Sequence, residues 1–229
     1  MPANSRGVDA LKGSLRMAKK PSGTSGAVRV SVGNDGRPKI EHLTVQWPTE
    51  QKEIERKIFG FFTREFEKAG AKFLNVEDCG VSGLDFLLTL PGGKTWLELM
   101  EVVAPRIGEK PHRPGQQAHV ISTYVDQVFE GVARKTGKYG FRHEYPVHLL
   151  LYTTHEQYVP SPSAIEMLKV RFREAKHSFE NVFLITPLSE DVTPLTVLFN
   201  KNNPVSTEAK ESFAGSWWIS LPGSETKLY

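Results

Sequence analysis

The stretch from Gly83 to Val102, GLDFLLTLPGGKTWLELMEV, is two apolar runs joined by Pro-Gly-Gly, and each run carries one acid, Asp85 and Glu98. Side chains alternate between the faces of a strand. With Gly92-Gly93 as a two-residue loop, Pro91 faces Lys94, which puts Asp85 opposite Met100 and diagonal to Glu98, all three on one face. Two carboxylates on a buried face repel each other and lose hydration unless something positive lies between them. A divalent cation meets that need, because Mg²⁺ takes one or two carboxylates and completes its shell with waters and phosphate oxygens. A metal so held polarises a phosphodiester and activates a bound water, which is the chemistry of a nuclease.

These acids need elements to position them. Upstream, TEQKEIERKIFGFFTREFEKAG has helical spacing, with Thr49 available as a cap and Gly70 as a stop. Ile54, Ile58, Phe61, Phe62 and Ala69 share a stripe, and Glu65 lies seven residues after Ile58 on that stripe. AKFLNVEDCG reads as a strand before the hairpin. A Pro/Gly-rich loop, APRIGEKPHRPG, follows it, and then a helix with Gln117, Ile121, Tyr124, Val128 and Val132 on one face. PVHLLLYTT has the unbroken apolar character of a strand covered on both sides. SPSAIEMLKVRFREAK predicts a third helix capped by Ser161 or Ser163, and NVFLITPL another buried strand. The order α-β-β-β-α-β-α-β predicts one α/β domain with a mixed central sheet flanked by helices. It spans 49–190, after a basic arm over 1–26 and an accessory β-hairpin over 27–48. Residues 191–229 form a C-terminal extension packing on the domain.

With an Asp on the second strand and Glu-x-x on the third after a tight hairpin, this order resembles the α-β-β-β-α-β core of the PD-(D/E)XK nuclease superfamily, the restriction-endonuclease-like fold. The resemblance spans roughly residues 49 to 155 and implies a Mg²⁺- or Mn²⁺-dependent nuclease, with DNA favoured over RNA. By position, Asp85 and Glu98 match the motif acids and Glu65 the metal-binding acid of the first helix. Gln117 and Tyr124 match the polar residues of the helix after the third strand and would contact nucleic acid, as would Arg106, Lys110 and Arg113 from the loop before it. The chain departs from the pattern at two places. Gly83-Leu84 stands where a Pro usually precedes the Asp, and Met100 occupies the position of the motif lysine, whose charge a thioether cannot supply. Lys94 shares the parity of Glu98 but lies four residues away, on the order of 13 Å along a strand.

Composition leaves several readings open. Residues 1 to 40 hold eight Lys or Arg against Asp9 and Asp35, so in a chain of net charge +3 the remainder is acidic. Such an arm suits phosphate contacts, and equally a solvated tail. No apolar run reaches membrane-span length, and the single cysteine, Cys79, suits a cytoplasmic protein without disulfides. The histidines show no i, i+4 pairing of a zinc site. Three alternatives follow: an active nuclease, acting as a homodimer or with a partner protein; an inactive nuclease-fold module that binds nucleic acid or a partner; and an unrelated α/β domain whose Asp85 and Glu98 are structural carboxylates paired to an Arg.

Overall fold

The computed structural model describes residues 23–79, 83–103, 117–139, 143–208 and 217–220. Two long strands, β1 (Gly23–Val32) and β2 (Pro38–Trp47), form an antiparallel ribbon of their own. Helix α1 (Gln51–Lys68) follows, then β3 (Asn75–Asp78), β4 (Phe86–Leu90), β5 (Gly93–Glu101), a short β6 (Gln117–Val120) and α2 (Ile121–Tyr139). The chain continues through β7 (Val147–Tyr152), α3 (Pro162–Glu174), β8 (Asn181–Ile185), β9 (Leu195–Asn200) and β10 (Trp217–Ser220). Six strands make a mixed sheet in the order β3-β4-β5-β7-β8-β9, in which β5, β7 and β8 run parallel and the other pairs are antiparallel. The expected mixed α/β architecture is therefore present, and β9 carries its sheet past residue 190.

Each helix forms for reasons visible in its residues. Ile54, Ile58, Phe61 and Phe62 give α1 a buried stripe. Its end is closed by Gly70 at φ 88°, with Gly70 N–H donating to Glu67 O and Ala71 N–H to Phe66 O, the paired bonds of a left-handed helix stop. In α3, Ser161 Oγ accepts from Ala164 N and Pro162 occupies the first turn, where its missing N–H costs nothing. The sheet divides two cores. On one face α1 packs Ile54, Ile58 and Phe62 against Phe86, Leu88, Leu97, Leu99, Leu150 and Phe183. On the other, α2 and α3 pack Val128, Val132, Leu168 and Phe172 against Leu149, Leu151, Val182 and Leu184. Leu149, Leu150 and Leu151 are all fully buried, as a parallel strand covered on both faces must be.

Two expectations are corrected. Gln117 does not lie on the helix: it opens β6, which pairs with β10, and α2 starts only at Ile121. The β4–β5 hairpin also turns two residues earlier in pair sum than expected, with Leu90 opposite Gly93 and Pro91-Gly92 as the loop. Proline has fixed φ and no N–H to donate to a ladder, so it fits the first loop position. In this register Phe86 pairs with Leu97 as the last rung, so Asp85 stands just past the end of β4 and not in a rung opposite Met100.

Candidate active site

Strand β4 begins at Phe86, whereas β5 runs on beyond Leu97 to Glu101, held there by β7 alone. Trp96 N–H donates to Pro146 O at 2.8 Å and Val102 N–H to Tyr152 O at 2.7 Å, so even-numbered amides of β5 face β7 and odd-numbered ones face the β4 side. Past the end of β4, the backbone of Leu99 would be left without partners on that side. Two side chains supply them. Asp85 Oδ2 accepts from Leu99 N at 2.8 Å, and Lys135 Nζ donates to Leu99 O at 2.9 Å. Lys135, arriving from α2, also ion-pairs with Glu98 Oε1. The other oxygen of Asp85 faces Lys52 Nζ at 3.2 Å, and Lys52 reaches Glu55 at 2.9 Å. Asp85 and Lys135 thus meet on the backbone of one residue of β5, with Glu98 held by the same lysine and with Lys52 and Glu55 behind Asp85.

Burial sets the character of these groups. Glu98 is 1% exposed and Asp85 9%, so neither is an ordinary surface carboxylate. For Lys52, burial lowers the pKa, but the Glu55 and Asp85 carboxylates outweigh it and hold the ammonium above its usual value. On the α1 side of the same sheet end, Gln51 donates to Glu55 at 2.6 Å and to the Tyr152 hydroxyl at 3.1 Å, and Thr154 donates to Glu101. Burial first, and Glu101 second, push the Tyr152 phenol far above its usual pKa, so it stays a neutral hydrogen-bonding group.

The structure does not bring Glu65 to this cluster. It lies thirteen residues beyond Lys52 on α1, about 20 Å along the axis. There it bonds Lys68 at 2.9 Å and Thr193 Oγ1 at 2.8 Å, and the Lys68 bond leads in lowering its pKa. The α1 acid at the Asp85 end is Glu55. Tyr124 is 1% exposed and donates its hydroxyl to Tyr158 O at 3.0 Å, so it belongs to the core and not to a nucleic-acid surface. Lys94 stands at the far end of β5, its Nζ 5.8 Å from the centre of the Tyr145 ring. Arg106, Lys110 and Arg113 lie outside the described residues. Met100 keeps its place on the α2 face, packed on the same core as Val128 and Val132.

Sequence reasoning missed Lys135, Lys52 and Glu55. A signal for Lys135 existed: it lies seven residues after Val128 on the buried stripe of α2, the spacing that singled out Glu65 on α1. Among the described residues, no group of three or more His, Cys, Asp or Glu is arranged to hold a metal ion. Asp85 and Glu98 offer two hard carboxylates, a donor set that fits Mg²⁺ with waters completing the shell and does not fit a closed protein cage. No protein-family model matches the chain, and no curated protein or solved structure does.

Proposed function

We propose that the protein is a Mg²⁺-dependent nuclease of the PD-(D/E)XK type, acting on DNA, in which Lys135 supplies the charge that Met100 cannot. The observation that carries this reading is the meeting of Asp85 and Lys135 on the backbone of Leu99, with Glu98 paired to that lysine, where β4 ends and β5 continues. Support also comes from the element order: with β6 set aside, because it pairs with β10 outside the main sheet, α1, β3, β4, β5, α2 and β7 follow the superfamily's helix-strand-strand-strand-helix-strand succession. Asp85 and Glu98 would hold the ion, which when bound supplies a polarised phosphodiester and an acidified water. Lys135 places an ammonium beside Glu98, where it can stabilise negative charge developing on the phosphate. Leu99 O fixes the position of that ammonium and Leu99 N–H the orientation of Asp85, so both act from a preorganised backbone. Lys52, held between Glu55 and Asp85, would neutralise Asp85 when no cation is bound.

The test is cleavage of labelled single- and double-stranded DNA, with RNA as a comparison, in Mg²⁺ or Mn²⁺ and in EDTA. Metal-dependent cutting by the wild type, lost by a factor of 10² or more in Asp85→Asn, Glu98→Gln and Lys135→Met, is the expected result. Cutting that survives in all three would remove these residues from the chemistry. A second reading is a nuclease-fold module that binds nucleic acid without cutting it. It is favoured by one observation, that each acid already has a lysine partner, Asp85 with Lys52 and Glu98 with Lys135. Retained DNA binding with no cleavage under any metal would establish it.

A further inference from the structure

Between the free end of β5 and α2 lies a cavity of about 300 Å³, at the small end of the range in which proteins bind ligands. Its walls differ in chemistry. Met100, Val102 and Val128 make one side apolar, while Gln127, Arg134 and Lys135 bring polar groups to the other. Glu101 also borders it, with its carboxylate bonded to Thr154. Lys135 is engaged with Glu98 and Leu99. Arg134 makes no ion pair with any described residue, and its Nη2 lies 3.8 Å from where a Cβ on Gly131 would stand. The same point is 3.1 Å from Met100 Sδ. Guanidinium and thioether therefore both lie over Gly131, where the absence of a side chain lets Met100 reach the helix backbone beside Arg134.

We propose that this cavity receives one terminal or unpaired nucleotide of a nucleic-acid strand, its phosphate on Arg134 and its base against Met100, Val102 and Val128. A guanidinium is a planar fork that matches phosphate oxygens in pairs. A thioether is polarisable and packs well on aromatic rings. The pairing of a cation with an apolar wall selects a phosphorylated base over phosphate or base alone. A cavity of this size excludes a double helix, so the strand engaged here is an end or an unpaired stretch. The inference rests on the nuclease reading for the use made of the strand, though not for its binding.

Binding is therefore measured without metal. In EDTA, calorimetric titration compares a deoxynucleoside 5′-monophosphate, the matching deoxynucleoside, inorganic phosphate and a 5′-phosphorylated trinucleotide. The monophosphate and the trinucleotide are expected to bind and to compete, each at least tenfold tighter than nucleoside or phosphate. Arg134→Gln should weaken both roughly tenfold or more, the worth of a charged hydrogen bond, and Gly131→Leu should block both by filling the cavity. Arg134 is exposed, so its replacement tests the site without threatening the fold. Equal binding of nucleoside and monophosphate, or unchanged binding in Arg134→Gln, would overturn the proposal, and so would a monophosphate that the trinucleotide fails to displace. The two readings fail separately. Metal-dependent DNA cleavage without Arg134-dependent nucleotide binding sinks only the cavity assignment, and nucleotide binding without cleavage sinks only the nuclease.

Discussion

At the scale of single residues, the pair with most at stake is Glu98 with Lys135. A carboxylate 1% exposed has lost its water, and the ammonium, itself 28% exposed, compensates it. Lys135→Met leaves the buried charge uncompensated, at a cost of about 3 kcal/mol, the low end of the range because water reaches the lysine side. Glu98→Gln in the same chain should recover part of that loss, so the double variant costs less than the sum of the singles in urea unfolding. Strict additivity would mean that the two groups are not coupled. His148 makes a second residue-level prediction. Burial in β7 lowers its pKa from 6.5 to about 4, against a smaller upward pull from Glu180. The folded state therefore keeps the imidazole neutral, with the Asn181 amide 3.2 Å from Nδ1, while the unfolded chain takes up a proton below its ordinary value. Stability from this group is complete above pH 6.5, is lost as pH falls towards 4, and changes no further below that; the total is roughly 3 kcal/mol. His148→Gln should flatten the stability profile between pH 6.5 and 4. An unaltered slope would assign it elsewhere, with His177, also lowered by burial, the next group to replace.

At the scale of elements, helices and strands were largely legible because periodicity is local, whereas their joints were not. The stripe of α1, the Ser161 cap of α3 and the fully apolar β7 follow from residues a few positions apart. Gln117 shows the limit. Its spacing from Ile121 continues the helical stripe, yet β6 pairs with β10, about a hundred residues later in the chain, and no local pattern reports such a partner. Glu65 and Lys135 sit on equivalent stripes, but only the sheet decides which helix position lies over the fork between β4 and β5. The hairpin that makes the fork carries a prediction of its own. Gly93, closing the turn opposite Leu90, has φ 126°, a backbone setting that L side chains rarely adopt. Gly92 is not among the glycines at positive φ and has nothing within 4 Å of a Cβ placed on it. Gly93→Ala should therefore cost about 1–2 kcal/mol, and Gly92→Ala should be close to neutral. Comparable losses in both would point to a Gly92-Gly93 loop, and with it to the register that separates Asp85 from Glu98.

At the scale of the whole molecule, the sheet domain and the β1–β2 ribbon differ in how they are stabilised. The sheet has a core on each face, and among the described residues no helix is long and apolar enough to cross a membrane. Among the described residues, the ribbon's buried side chains gather at its base. Leu43, Val45 and Trp47 are buried; Trp47 packs edge-on against Phe61 at 6.4 Å and donates its indole N–H to Ser25. Towards the turn, Val30 is 64% exposed, Val32 74% and Ile40 53%, on the face where paired side chains project together. Residues that bury little contribute little to folding, so the ribbon's stability contribution should be concentrated in its base. Replacing Arg29 to Glu41 by an Asn-Gly turn between Val28 and His42 should leave the melting temperature within about 2 °C, less than 1 kcal/mol for a domain of this size. Trp47→Ala, which empties a large buried site against α1, should cost about 3–5 kcal/mol, several times that shift. A trimmed ribbon that melts as early as Trp47→Ala would mean that the distal half is braced against the domain. The contrast between the two variants locates the border between the structural body and the appendage.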